Sequence, residues 1–138
     1  QSIVGKEITK KLEALNNDNI KKFKDIEKKL IDEEKNIIKQ KNILSKEDYE
    51  TKLKTLQKKI VSFRNNINNS KKNLDQKRVV ATSKILDVLK TILSEYSSKN
   101  SISLIIQKEN IVIGKSELEI TNQVLDMVNN KIKTIELN

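Results

Sequence analysis

The sequence predicts an α+β protein, mostly α, in which a long antiparallel helical-hairpin (coiled-coil) arm extends from a small β-hairpin plus helix body. Three observations lead to this fold class. The 138 residues include no proline, only two glycines and 34% charged residues against 3% aromatic, which is typical of long solvated helices. Apolar residues recur at heptad spacing through much of the chain. After Asn100, short β-branched segments replace this pattern.

The first predicted element is a long helix. Nothing between Lys6 and Leu44 breaks a helix, and Phe23, Leu30, Ile37 and Leu44 recur every seven residues. Apolar residues at this interval form a stripe along one side of a helix, as in a coiled coil. We therefore expect one helix over this whole segment, with its stripe facing a partner helix.

A second long helix is predicted to begin at about Lys46. Ser45 has the position of an N-cap, and Glu47 and Asp48 suit the positive end of the helix dipole. Spacings of four and three then separate the apolar positions Tyr49, Leu53, Leu56, Ile60, Phe63 and Ile67. Because the connection is short, this helix should run antiparallel to the first. Phe23, Phe63 and Tyr49 are expected in the core of this arm.

The remaining residues are predicted to form a compact body. Dense helical periodicity runs from Val79 to Leu93, and Ser97–Asn100 ends the helix. Segments 102–106 and 111–113 have the composition of strands, Gly114 permits a turn, and a short helix follows from Ile120. The predicted organisation is a body of residues 1–19 and 79–138 and an arm of residues 20–78, with its tip near residues 44–48.

Positive charge is concentrated in one part of the chain. The net charge is +9, and residues 1–78 hold 21 Lys and Arg against 12 Asp and Glu, whereas residues 79–138 hold seven of each. Between residues 52 and 78, nine basic side chains accompany the single acid Asp75. A basic helix is often merely solvated, but this clustering favours a collective role in contacting a client or an anionic surface. The candidates are Lys52, Lys54, Lys58, Lys59, Arg64, Lys71, Lys72, Lys77 and Arg78.

The strand residues are candidates for oligomerisation. A sheet of two short strands is marginal alone, so their apolar side chains form either a core within one chain or a core between subunits, and we favour the second. The residues concerned are Ile102, Leu104, Ile106, Ile111 and Ile113.

Catalysis has little support in the sequence, and we expect no enzyme activity, no metal site and no cofactor. The chain has no histidine, no cysteine and no glycine-rich phosphate loop. No apolar run approaches the roughly 18 residues that a membrane-spanning helix needs. Gln1 is not an initiator methionine, so we expect that an upstream signal peptide has been removed.

The order of elements resembles that of the Skp/OmpH periplasmic chaperones along nearly the whole chain. The segments that carry the resemblance are Gly5-Lys6, Leu44-Ser45-Lys46-Glu47-Asp48, Ile102-Ser103-Leu104-Ile105-Ile106, and Glu119-Ile120-Thr121 with Val124-Leu125. Members of this family usually have a further strand just before the segment that resembles residues 1–6.

The resemblance implies a homotrimer in the periplasm whose strands build a small β-barrel-like body and whose arms enclose unfolded outer-membrane proteins. It would act as an ATP-independent holdase. Two other classes remain open: a basic coiled-coil protein that binds anionic surfaces, either nucleic acid or lipid head groups, and a structural spacer. Arg64 and Arg78 are the only arginines, and stacking aromatics are scarce, so specific nucleic-acid recognition is not expected.

Overall fold

The computed structural model describes residues 2–133 and Leu137, and within them the chain is mostly helical. Three α-helices follow one another: α1 (Ile3–Lys39), α2 (Lys46–Lys99) and α3 (Thr121–Lys131). Two short 3₁₀ helices, Lys108–Asn110 and Ser116–Leu118, lie between α2 and α3. Gln1, residues 134–136 and residue 138, which the sequence assigns to the body, lie outside the described residues.

The chain divides into two compact units. The hairpin unit comprises Leu12–Gln76, and the terminal unit comprises Gln1–Lys11 with Lys77–Asn138.

In the hairpin unit, α1 and α2 pack through the predicted heptad positions. Ile37 and Leu56 are buried, and the other predicted heptad residues are half-buried. The rings of Phe23 and Phe63 meet edge to face, with centroids 6.0 Å apart and planes at 74°. This arrangement stabilises the fold by about 0.5–1.5 kcal/mol beyond the contribution of burying the two rings. The predicted antiparallel seam and the packing of Phe23 and Phe63 within it are confirmed, and Tyr49 is half-buried.

The turn between the two helices is longer than predicted. Helix α1 ends at Lys39, and residues 40–43 form turns in which the Leu44 amide donates to the Gln40 carbonyl at 3.0 Å. The predicted start of α2 at Lys46 is confirmed. The Ser45 hydroxyl accepts from the Asp48 amide at 3.1 Å and donates to the Asp48 carboxylate at 2.6 Å, so it caps the helix as its position predicted.

The terminal unit has its core between the last turns of α2 and α3. Ile92, Val124 and Val128 are buried together, and the Lys131 ammonium lies 3.3 Å from the Glu95 carboxylate on α2. The first turn of α1 joins this unit, because the Ile3 amide donates to the side-chain oxygen of Asn129 at 3.0 Å. The predicted C-terminal helix is confirmed, beginning one residue after Ile120.

The predicted β-hairpin is absent from the described residues. Segment 102–107 is without regular structure, a 3₁₀ helix occupies Lys108–Asn110, and residues 112–113 bend. A hairpin of two short strands is only marginally stable in water without further partners, which explains why the β-branched composition does not produce a sheet in one chain. Gly114 does not adopt a positive φ; a Cβ there would instead come within 3.3 Å of the Ile111 Cγ2 atom.

The end of α2 gives a stability prediction. Ser101 has a φ of 54°, and the Ile102 amide donates to the Ser97 carbonyl at 2.9 Å, as in a Schellman cap. Replacing Ser101 by glycine should raise the free energy of unfolding by about 0.5–1 kcal/mol, because glycine adopts this conformation without strain. Urea denaturation followed by circular dichroism measures the free energy of unfolding of the variant and of the wild type.

The matched control is Ser98→Gly within the last turns of α2, which should lower the free energy of unfolding by up to about 1 kcal/mol. A decrease for Ser101→Gly as large as that of the control would contradict the role assigned to the cap.

Candidate functional site

The nine basic candidates on α2 occupy different positions relative to the seam. We number the heptad so that Leu53, Ile60 and Ile67 are at a and Leu56 and Phe63 at d. Lys52 and Lys59 are then at g, Arg64 and Lys71 at e, and the rest of the hairpin-unit candidates at b or f. The two edges of the seam therefore carry different members of the set.

Lys52 and Lys59 are engaged within the hairpin. The Lys59 ammonium lies 2.7 and 2.9 Å from the two carboxylate oxygens of Glu33, and the Lys52 ammonium donates to the Gln40 side-chain oxygen at 2.7 Å. Glu33 is a half-buried residue of α1, and Gln40 is half-buried in the turn that follows this helix. Partly exposed pairs of this kind contribute at most about 1 kcal/mol to the free energy of unfolding. They nevertheless direct these two charges toward α1 and the turn that follows it.

Six further candidates are exposed and form no ion pair with any described residue. Five of the six lie between Glu50 and Asp75, where α2 carries no acidic residue, although Glu50 and Asp75 themselves stand three or four residues from four of the set. Their positive field is therefore available to an acidic partner. The six are Lys54, Lys58, Arg64, Lys71, Lys72 and Arg78.

Lys77 has a different environment. Its side chain is half-buried, and its ammonium donates to the Leu137 carbonyl at 2.7 Å. The sequence contained the signal for this placement, because Lys77 lies seven residues after Ser70 and fourteen after Phe63, at a d position. The structure thus uses Lys77 inside the terminal unit and not with the exposed cations.

The oligomerisation candidates lie on an exposed segment. Ile102 is half-buried, but Leu104 is 72% exposed and Ile113 is 92% exposed; Ile106 and Ile111 are also exposed. Residues 102–107 line one side of a groove whose other side is formed by Leu93, Ser94, Ser97 and Ser98 of α2. A run of large apolar side chains in water is unusual on a monomeric protein.

Ion pairs also order the connection before α3. The Lys108 ammonium lies 2.8 and 2.9 Å from the carboxylate oxygens of Glu119, and these two residues are attached to different 3₁₀ helices. Among the described residues there is no cluster of three or more side chains suited to hold a metal ion. In the same part of the chain, no helix has the length and apolarity needed to cross a membrane.

Comparisons with known proteins agree on one family. Residues 1–128 match the family model described as outer membrane protein (OmpH-like). A solved structure with a TM-score of 0.90 is the OmpH-like protein of Caulobacter crescentus CB15, a candidate outer membrane chaperone; it is 20% identical, and the match covers 99% of this chain and 80% of that one. At this identity the likeness concerns the fold. No curated protein matches the chain at a significant level.

The contrast between Lys77 and Lys72 is testable. Lys77→Ala should lower the free energy of unfolding by about 1–2 kcal/mol, since it removes a hydrogen bond and a half-buried aliphatic stem. Lys72→Ala, the exposed control, should change it by less than about 0.5 kcal/mol. Urea denaturation of both variants measures this difference, and equal values would contradict the placement of Lys77.

Proposed function

This chain belongs to the OmpH-like family, and from that premise we propose that it is an ATP-independent holdase chaperone of the periplasm. It would bind unfolded outer-membrane β-barrel proteins and prevent their aggregation before membrane insertion. The role needs no catalytic group, metal or cofactor, and we propose none. It needs a surface that attracts a non-native chain and releases it again, which many weak contacts can provide.

The observation that carries the proposal is the set of six exposed cations on α2. An unpaired cluster of one sign raises the rate at which oppositely charged chains are captured. At about 0.15 M salt its reach is limited to about 8 Å, so it guides final approach more than long-range encounter. Lysine stems can also lie along apolar client segments while their ammonium groups stay hydrated.

We also propose that the protein acts as a homotrimer. The support is the exposed apolar segment that contains Leu104, Ile106, Ile111 and Ile113: strands that are marginal alone gain hydrogen-bonding partners and burial when other subunits supply neighbouring strands. In this proposal residues 1–19 and 79–138 form the body, and residues 20–78 form the arm.

Binding to an anionic lipid surface is the second candidate function. The same exposed cations favour lipid binding, since each basic residue near an anionic surface contributes about 1 kcal/mol to the free energy of binding. Nucleic acid is less suitable because Phe23 and Phe63 pack edge to face against each other in the seam and are not available to stack on bases.

The holdase proposal predicts the effect of removing charge. A urea-unfolded outer-membrane β-barrel protein is diluted into buffer, and light scattering is recorded with and without this protein. Wild type should suppress scattering near one trimer per client. Changing the six exposed cations (Lys54, Lys58, Arg64, Lys71, Lys72 and Arg78) to glutamine should slow capture roughly tenfold at low salt and less at higher salt.

The control changes six exposed lysines of α1 to glutamine, which removes the same net charge: Lys10, Lys21, Lys22, Lys28, Lys29 and Lys35. Equal slowing in both variants would show that net charge alone matters. Unchanged scattering with trimeric wild type would contradict the holdase function, and binding to anionic vesicles would then favour the lipid alternative.

Assembly has its own prediction. Sedimentation equilibrium should give three times the 15.9 kDa chain mass. Leu104→Asp should dissociate the assembly, because a carboxylate would be buried among apolar side chains without a partner. Ser103→Asp, the neighbouring control, should remain trimeric. A monomeric wild type, or assembly unaffected by Leu104→Asp, would contradict the proposed interface.

A further inference from the structure

Residues of low helix propensity are concentrated at two places in the hairpin unit. Residues 16–19 of α1 read Asn-Asn-Asp-Asn, and five of the nine residues from 65 to 73 on α2 are asparagines. The helices of this unit hold one further asparagine, Asn36. Asparagine and aspartate are among the poorer helix formers, because their short side chains compete for backbone hydrogen bonds. Each helix is therefore weakened over a short stretch.

The two stretches lie beside each other in the fold. The rings of Phe23 on α1 and Phe63 on α2 meet across the seam, and the two helices run antiparallel. Moving one helical turn from this pair, away from the connection between the helices, brings Asn19 level with Ile67, and the next helical turn brings Ser70 into the seam. Because the stretches are far apart in sequence, only the packing of the hairpin places them at the same level.

The seam at this level contains polar residues where apolar ones would pack. With Phe23 at a on α1, Asn19 is at d, and Ser70 is at d on α2; both are half-buried. Neither side chain forms a hydrogen bond with another described residue, in contrast to the polar d residues nearer the connection, which Lys59 and Lys52 bind. This layer therefore has neither the burial of an apolar pair nor the contact of a bonded polar pair to stabilise it.

Better packed layers lie on both sides of this level. Toward the connection, Ile37 and Leu56 are buried, and on the other side Leu12 is buried and Leu74 half-buried. A segment with few buried apolar contacts opens at a lower free energy than its surroundings, and helices bend where water replaces their backbone hydrogen bonds. The asparagine stretches place such a segment on both helices at once, between two firmer parts of the seam.

We propose that residues 16–19 and 65–73 form a joint within the hairpin, at which α1 and α2 open and bend together. The part between this joint and the connection of the helices moves as one piece. The joint needs both stretches, because a regular helix beside a single weak one would hold it straight. This inference concerns the chain by itself and does not depend on the holdase function. In a holdase, such a joint would let the end of the hairpin adjust to clients of different size.

Hydrogen exchange of the full chain, followed by mass spectrometry, tests the opening of the joint. Backbone amides of residues 16–19 and 65–73 should exchange about tenfold faster than those of residues 26–38 and 50–62, because local opening exposes them to water. Equal or slower exchange in the two stretches would overturn the proposal.

Filling the seam provides a variant with a matched control. Asn19→Leu with Ser70→Leu places apolar residues at the two d positions and should slow exchange in both stretches about tenfold. Asn17→Leu with Asn69→Leu adds two leucines at exposed positions of the same stretches, and should slow exchange about threefold at most, through helix propensity alone. Unchanged exchange in the seam variant, or equal slowing in the control, would contradict the role of the polar layer.

Distances between spin labels test the bending itself. The sequence contains no cysteine, so introduced cysteines can be labelled specifically. Val61→Cys with Asp75→Cys spans the joint, whereas Glu47→Cys with Val61→Cys has the same separation on the same face of α2 but lies before the joint; all three positions are exposed. In a straight helix each pair is about 21 Å apart along the axis.

The spanning pair should give a distance distribution about twice as broad as the control pair, and Asn19→Leu with Ser70→Leu should narrow it. Equal widths for the two pairs would overturn the joint. Suppression of light scattering by the wild type is a separate measurement, so failure of the joint and failure of the holdase function are distinguishable.

Discussion

The packing of α1 against α2 along one heptad seam is the interaction on which the hairpin unit depends. Both helices are rich in charged residues, and isolated helices of this kind gain little from propensity alone. Burial at positions such as Ile37 and Leu56 supplies the missing stabilisation. Because the seam fixes the rotation of each helix, it also decides which lysines reach the opposite helix and which aliphatic residues remain in water. The exposed surface of the hairpin is therefore a consequence of its core.

Polar residues within the seam add specificity of register at a cost in stability. Glu33 and Gln40 are half-buried at d positions, and Lys59 and Lys52 satisfy them. These contacts form only if α2 has the observed register against α1. Farther from the turn, Asn19 and Ser70 are half-buried at d positions where apolar residues would pack more tightly. The same stretch of α2 holds Asn65, Asn66, Asn68, Asn69 and Asn73. The hairpin is thus best specified near its turn and less tightly packed away from it.

Local patterns in the sequence were sufficient for the helices and insufficient for the segment between α2 and α3. The capping residue Ser45 and the spacing from Tyr49 to Ile67 predicted the start of α2 and its seam, since both depend on neighbours along the chain. The strands predicted at 102–106 and 111–113 do not form in the single chain, because a strand requires partners that local composition does not reveal. Lys77 was predicted to be one of the contact candidates, although its d position already indicated the half-burial that the structure shows. The exposure of Ile31, Ile38 and Val61 required the observed packing of both helices.

The combination of unpaired charge and scattered aliphatics explains how a holdase could work without ATP. Charge acts at a distance of about a Debye length and accelerates encounter, but it contributes little to a lasting complex at physiological salt. Aliphatic contacts act only on touching, and each partly exposed side chain adds a small fraction of the free energy of a fully buried one. A client held by several such contacts exchanges them one at a time, so it remains bound yet is not committed to one conformation. A continuous apolar face of the same total area would bind more strongly and would also promote association of the chaperone with itself. If Ile20, Ile31 and Ile38 contact a client, as scattered single aliphatics they would bind it weakly enough to permit its release when it folds elsewhere.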